Sequence, residues 1–230
     1  MADGCHLASL GNDGGQFLDT DQLIDRLVAD HRRVDPHWIE RACVLAAGPA
    51  LAVAIALVAT VIGFRDDIPA AVMEGRILAK YGFVVLASLT AGLVYCRMAR
   101  PGRRLKRLGL AYLIPFGFVI TAAAFAAGGR GLGDIGAIIA DPNWRFCVTL
   151  VPSFAVIPIA LFAAVLRRAA PTDLTGAGFA TGILATSVTA LAYAAHCPAD
   201  SPLFVAVWYP LAFLIGGIAG ALVAPRLMRW

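Results

Sequence analysis

The residues best suited to chemistry in this chain are its five cysteines, Cys5, Cys43, Cys96, Cys147 and Cys197. A thiolate is both a nucleophile and a soft-metal ligand, so what each can do depends on its surroundings and its compartment. No two form a CxxC pair, which excludes zinc-ribbon and thioredoxin-like motifs. Cys197 is set apart by its neighbours. It lies in HCPADSP, residues 196–202, a short stretch between two long apolar runs. His196 beside it could lower the thiol pKa or act as a metal ligand.

The elements that must position these thiols follow from composition. The chain is 60% hydrophobic and only 15% charged, with a mean hydropathy of +0.77. Soluble domains average about 25% charged residues, so this is the composition of a membrane protein. A bilayer span needs about 20 mostly apolar residues. Six runs meet that length, at 43–63, 78–98, 108–127, 147–166, 177–196 and 203–224. None carries the polar stripe of a soluble amphipathic helix. The expected fold is therefore all-α, a six-transmembrane helical bundle over 43–230, preceded by an arm at 1–42. The first forty residues lack the charged-then-apolar start of a cleavable signal peptide, so the first span is expected to direct insertion.

Charge orients the bundle. With the N-terminus inside, fourteen of the nineteen Lys and Arg residues fall on the inner side and five on the outer. The positive-inside rule then places both termini in the cytoplasm. The run RMARPGRRLKR, 97–107, reads most simply as a topology anchor, with an anionic-lipid patch as its functional alternative. Gly216 and Gly220 form a GxxxG pair expected to pack closely against a neighbouring helix. Charge is missing from mid-span, and Lys80, near an outer end, is expected to snorkel to the interface. Ion and proton pathways usually need intramembrane charge, which argues against a transporter or pump.

This topology sorts the cysteines. Cys5, Cys43 and Cys96 fall in the arm or at inner span ends, where thiols stay reduced. Cys147 and Cys197 fall outside. The fourth and fifth spans form a hairpin turning near Pro171–Thr172, and each of these cysteines is 25 residues from Thr172. Antiparallel helices of equal length bring their far ends to one depth, so the two should face each other at the outer surface. Three readings of the pair stand: Cys147 as a small apolar residue at a helix start, a static structural disulfide, or a reactive or metal-capturing pair, with His196 as an occasional third ligand.

The arm carries a second feature. Asp19 or Thr20 can cap a helix over about 20–34 that ends before Pro36. Leu23, Ile24, Leu27 and Val28 lie on one face, with Asp21, Asp25 and Arg26 towards the other. A membrane-surface helix usually has a basic polar face, whereas this one is acidic. The pattern favours docking in a groove of a soluble partner.

Taken together, the Leu23–Leu27 segment, six spans, a cysteine opening the fourth, and His196-Cys197-Pro198 with Asp200, Ser201 and Trp208-Tyr209-Pro210 resemble the negative regulator of sigma F family. The resemblance covers about 18–230 and includes the terminal Arg229–Trp230. It implies a multi-pass anti-sigma factor of the bacterial inner membrane that sequesters an extracytoplasmic-function sigma factor and releases it under heavy-metal or oxidative stress. It also implies that Thr20–Asp30 engages the sigma factor and that Cys147 and Cys197 are the sensing thiols; Cys5, Cys43 and Cys96 match no family motif. The expected partners are the sigma factor and membrane lipids, with no direct nucleic-acid binding, no cofactor and no enzymatic activity. Two rivals from other classes are a membrane thiol-redox enzyme, which would want a second cysteine pair at the same surface, and a small multi-span transporter.

Overall fold

The computed structural model describes Ile24, Asp25, Val28, Ala29, Asp35 and residues 37–75, 77–102 and 104–227. The chain divides into two compact units, Met1–Pro36 and His37–Trp230. In the first, Ile24, Asp25, Val28 and Ala29 are helical, and Ile24 and Val28 are exposed. Asp21, Leu23, Arg26 and Leu27 of the expected docking helix lie outside the described residues.

Every regular element of the second unit is helical among its described residues. Its elements are α1 (Trp38–Val61), the short α2 (Ile68–Met73), α3 (Leu78–Met98), a single turn α4 (Leu105–Leu108) running through a 3-10 turn into α5 (Leu113–Ala127), α6 (Leu132–Ile139), α7 (Trp144–Phe154), α8 (Val156–Ala169), α9 (Leu174–Tyr193) and α10 (Pro202–Leu227). Among the described residues, six helical segments are long and apolar enough to cross a membrane, as expected. The first starts five residues earlier than the hydropathy suggested, at Trp38, because the polar Glu40 and Arg41 are accommodated inside its first turn. The fourth is broken: α7 and α8 meet at Ala155, between Pro152 and Pro158. Proline has no N–H for the i→i−4 ladder, so such a break is where a span can bend.

The bundle is organised around α9. Sixteen of its twenty residues are buried, and twelve of those are Gly, Ala, Ser or Thr. Small side chains let neighbouring backbones approach, which supplies the packing that apolar burial cannot supply in lipid. Asp173 caps its start, accepting from the Gly176 N–H at 2.8 Å. α10 runs alongside α9, and α1, α3, α7 and α8 also pack on it. The GxxxG pair does what its spacing predicts, and α9 answers it. A Cβ on Gly182 would lie 2.0 Å from the Gly216 carbonyl oxygen, and one on Gly178 would lie 2.5 Å from that of Gly220. The hydroxyls buried in α9 are satisfied within the helix: Thr181 donates to Ala177, Thr186 to Gly182 and Thr189 to Ala185.

Two ends result. At the arginine-rich end, Arg100 at the end of α3 pairs with Glu40 of α1, and the Gly102 N–H donates to Thr172 Oγ1 at 3.1 Å. The opposite end gathers the α1–α2 loop, the start of α3, the start of α7 and the α9–α10 loop.

Candidate functional site around Cys147 and Cys197

Cys197 reaches its position by a tight ending of α9. Its backbone N–H donates to the Tyr193 carbonyl at 3.1 Å, and that of His196 donates to the same carbonyl at 2.9 Å. Cys147 sits one turn into α7. The two side chains are within hydrogen-bonding reach of each other, and the Tyr193 hydroxyl reaches Cys147. Cys147 is 1% exposed and Cys197 0%. Both are free thiols. The sequence expected this pair to face across the helix ends, and it does; it lies inside the protein rather than at its surface.

The backbone of Cys197 is held by two cations. Lys80 Nζ, at the start of α3, donates to the Cys197 carbonyl at 2.7 Å and pairs with Asp200 at 2.5 Å. Arg65, in the α1–α2 loop, donates to the same carbonyl at 3.1 Å and to both Asp200 oxygens at 2.9 and 2.8 Å. Its other face binds Asp67. The expectation that Lys80 snorkels is corrected here. Its side chain is 0% exposed, because Asp200 and the Cys197 carbonyl together replace the water its ammonium would otherwise seek.

These contacts set the thiol's acidity. Cys197 is lowered to about 7, first by its hydrogen bond with Cys147, then by the nearby Lys80 ammonium and the Ala199 N–H, against burial and the Asp200 carboxylate. A thiol lowered in this way, beside the Lys80 ammonium, is the more readily ionised of the two.

His196 is placed differently. Its Nδ1 lies 2.9 Å from the Gly63 carbonyl and its ring packs on Tyr193. It is not gathered with Cys147 and Cys197 into a three-ligand cluster, since no group of three His, Cys, Asp or Glu suited to a metal ion occurs among the described residues. The ring instead ties the α9 end to the α1 end, where the Arg65 N–H also donates to the Ala195 carbonyl at 3.2 Å. Trp208 completes the frame, donating from Nε1 to the Ile139 carbonyl at 2.7 Å and stacking on Trp144 at the head of α7.

Arg65, Lys80 and Asp200 were not recognised from sequence as parts of one site. A signal was present: two cations at span ends and one acid in a short loop, all assigned by topology to the same side. Their pairing is over 100 residues in separation, which no local pattern reports.

The family described as negative regulator of sigma F matches residues 27–230. The chain is 30% identical over 216 residues to a protein of Azospira oryzae named a probable anti-sigma-F factor, covering 93% of this chain and 100% of that one. It is 31% identical over 214 residues to the anti-sigma-F factor of Caulobacter vibrioides, covering 92% and 99% respectively. No solved structure matches the chain.

Proposed function

The chain belongs to the negative regulator of sigma F family, and from that premise we propose that it is a membrane-embedded anti-sigma factor whose outer thiol pair controls release. Both relatives are named as anti-sigma factors, which are regulators rather than enzymes. In the resting state the segment with Asp21, Leu23, Ile24, Asp25, Arg26, Leu27 and Val28 engages an extracytoplasmic-function sigma factor. The bundle sits in the bacterial inner membrane with both termini in the cytoplasm, and the Cys147–Cys197 end faces outwards.

The observation that carries the reading is the contact between two buried free thiols, one of them in a loop fastened to α3 by Lys80 and to the α1–α2 loop by Arg65. An oxidant such as peroxide can close them. The Cys197 thiolate attacks the O–O bond and becomes a sulfenic acid as hydroxide leaves; the Cys147 thiol then displaces water to form the disulfide. A soft metal ion can link them instead, displacing two protons. Either event draws the head of α7 towards the α9–α10 loop, and Lys80 and Arg65 pass the shift to α3 and α1. A signal can move an equilibrium only by its differential affinity for two states. The kinked α7–α8 span and the small-residue packing of α9 are the elements able to offer a second arrangement.

The test is a sigma-dependent reporter strain. Cys147→Ser and Cys197→Ser should keep repression at rest and lose induction by cadmium or peroxide. Full induction in both variants removes the thiols from the mechanism.

A further inference from the structure

A second thiol pair lies at the arginine-rich end. Cys43 of α1 is 7% exposed, and Cys96 of α3 is partly buried. Their side chains are within hydrogen-bonding reach of each other, though 53 residues separate them in the chain. Both are free. They line one cavity of about 780 Å³ between α1, α3 and α9. Its mouth carries Glu40, Arg97 and Arg100, and its depth is apolar, with Leu51, Leu89 and Leu184 on the walls. Glu40 pairs with Arg100 through one oxygen, while its Oε2 is buried without a hydrogen-bond partner.

We propose that Cys43 and Cys96 form a two-coordinate dithiolate site that captures a soft divalent metal ion, with the mercuric ion as the probe. Capture forms two metal–sulfur bonds and releases two protons to water at the mouth; no electron is transferred. Three properties of the site select this class of ion. Thiolates prefer soft metals. Two thiolates with one divalent ion make a neutral complex, the form an apolar cavity tolerates. And no group of three metal-suited ligands is present among the described residues, so an ion needing tetrahedral coordination, such as zinc, is left short. This site rests on its own geometry and is independent of the role proposed for Cys147 and Cys197.

The experiment uses the full chain in detergent with Cys5→Ser, Cys147→Ser and Cys197→Ser, leaving Cys43 and Cys96. Mercuric chloride is added against excess glutathione. The expected result is one mercuric ion retained per chain, a thiolate-to-mercury absorption band, two sulfur neighbours by X-ray absorption and no displacement by zinc. Adding Cys43→Ser or Cys96→Ser should cut retention by about a hundredfold or more, since the second thiolate acts at high effective concentration. Equal retention by either single-cysteine chain, or no retention by a parent whose helical spectrum and elution match wild type, overturns the proposal. If the triple substitution unfolds the chain, wild type decides: Cys43→Ser alone should lower its bound mercury by one ion, and an unchanged count overturns the site.

Discussion

The Lys80 ammonium donates to the Cys197 carbonyl at 2.7 Å from a position with no solvent exposure. A charge at the head of one span is thus spent on holding the backbone beside a thiol in the loop between two others. The same ammonium pairs with Asp200, and Arg65 closes the group.

Removing one partner of a buried ion pair leaves the other charge uncompensated. Asp200→Asn strands the Lys80 ammonium and should destabilise the chain by about 3–5 kcal/mol, read as a lower thermal midpoint in detergent. Lys80→Met should cost less, because Arg65 still pairs with Asp200, and the double substitution less than the two together, because the second change removes a charge already stranded.

Cys197 titrates near 7 in the folded chain, below the free-thiol range. Its thiolate absorbance should appear with a midpoint near pH 7 and be missing in Cys197→Ser. Since the folded value is depressed, ionisation favours the folded state. That contribution is complete above the free-thiol value of about 8.5 and is lost as pH falls through 7. Lys80→Met should move the midpoint upwards, because the ammonium is one of the groups that stabilise the thiolate. An unmoved midpoint would separate Lys80 from the electrostatics of the site.

The α9–α10 seam has no room for a side chain at Gly182. Gly182→Val should destabilise by about 1–3 kcal/mol or more through overpacking, seen as reduced membrane accumulation and a lower thermal midpoint. Gly48→Ala, where a Cβ meets nothing within 4 Å, is the matched control and should be near neutral.

In the arm, Leu23→Asp and Leu27→Asp place charge on the apolar face. If that face is the sigma-binding surface, each should weaken capture of the sigma factor by at least about thirtyfold, the scale of a hot-spot residue. A pull-down with the full-length variant measures it, and undiminished capture would move the binding surface elsewhere.

Much of this was legible in the sequence for definite reasons. Span length and apolar content fixed six crossings, and the equal distances of Cys147 and Cys197 from Thr172 placed them at one depth. The same hairpin logic applies to Cys43 and Cys96, whose midpoint falls in α2 between the first two spans, but those thiols carry no neighbours that single them out in the sequence. Lys80 was misread because a lysine at a span end ordinarily finds water, and only the fold shows that Asp200 is brought to it. The break at Ala155 follows from Pro152 and Pro158, but whether prolines in a span bend or end it depends on what satisfies the freed carbonyls. The role of α9 as the buried centre was hidden because its small residues score as only moderately apolar.

If chemistry at Cys147 and Cys197 releases a sigma factor held at the membrane, loss of the thiols and release must go together. The most direct measurement takes native membranes carrying both proteins, adds cadmium or peroxide in steps, and reads two quantities from each sample: the loss of alkylatable thiol at Cys147 and Cys197, and the share of sigma factor freed into the soluble fraction. The two should rise together in wild type, and the Cys147→Ser, Cys197→Ser double variant should free none. Sigma release from the double variant at the same dose, or full modification of both thiols with the sigma factor still bound, would contradict it.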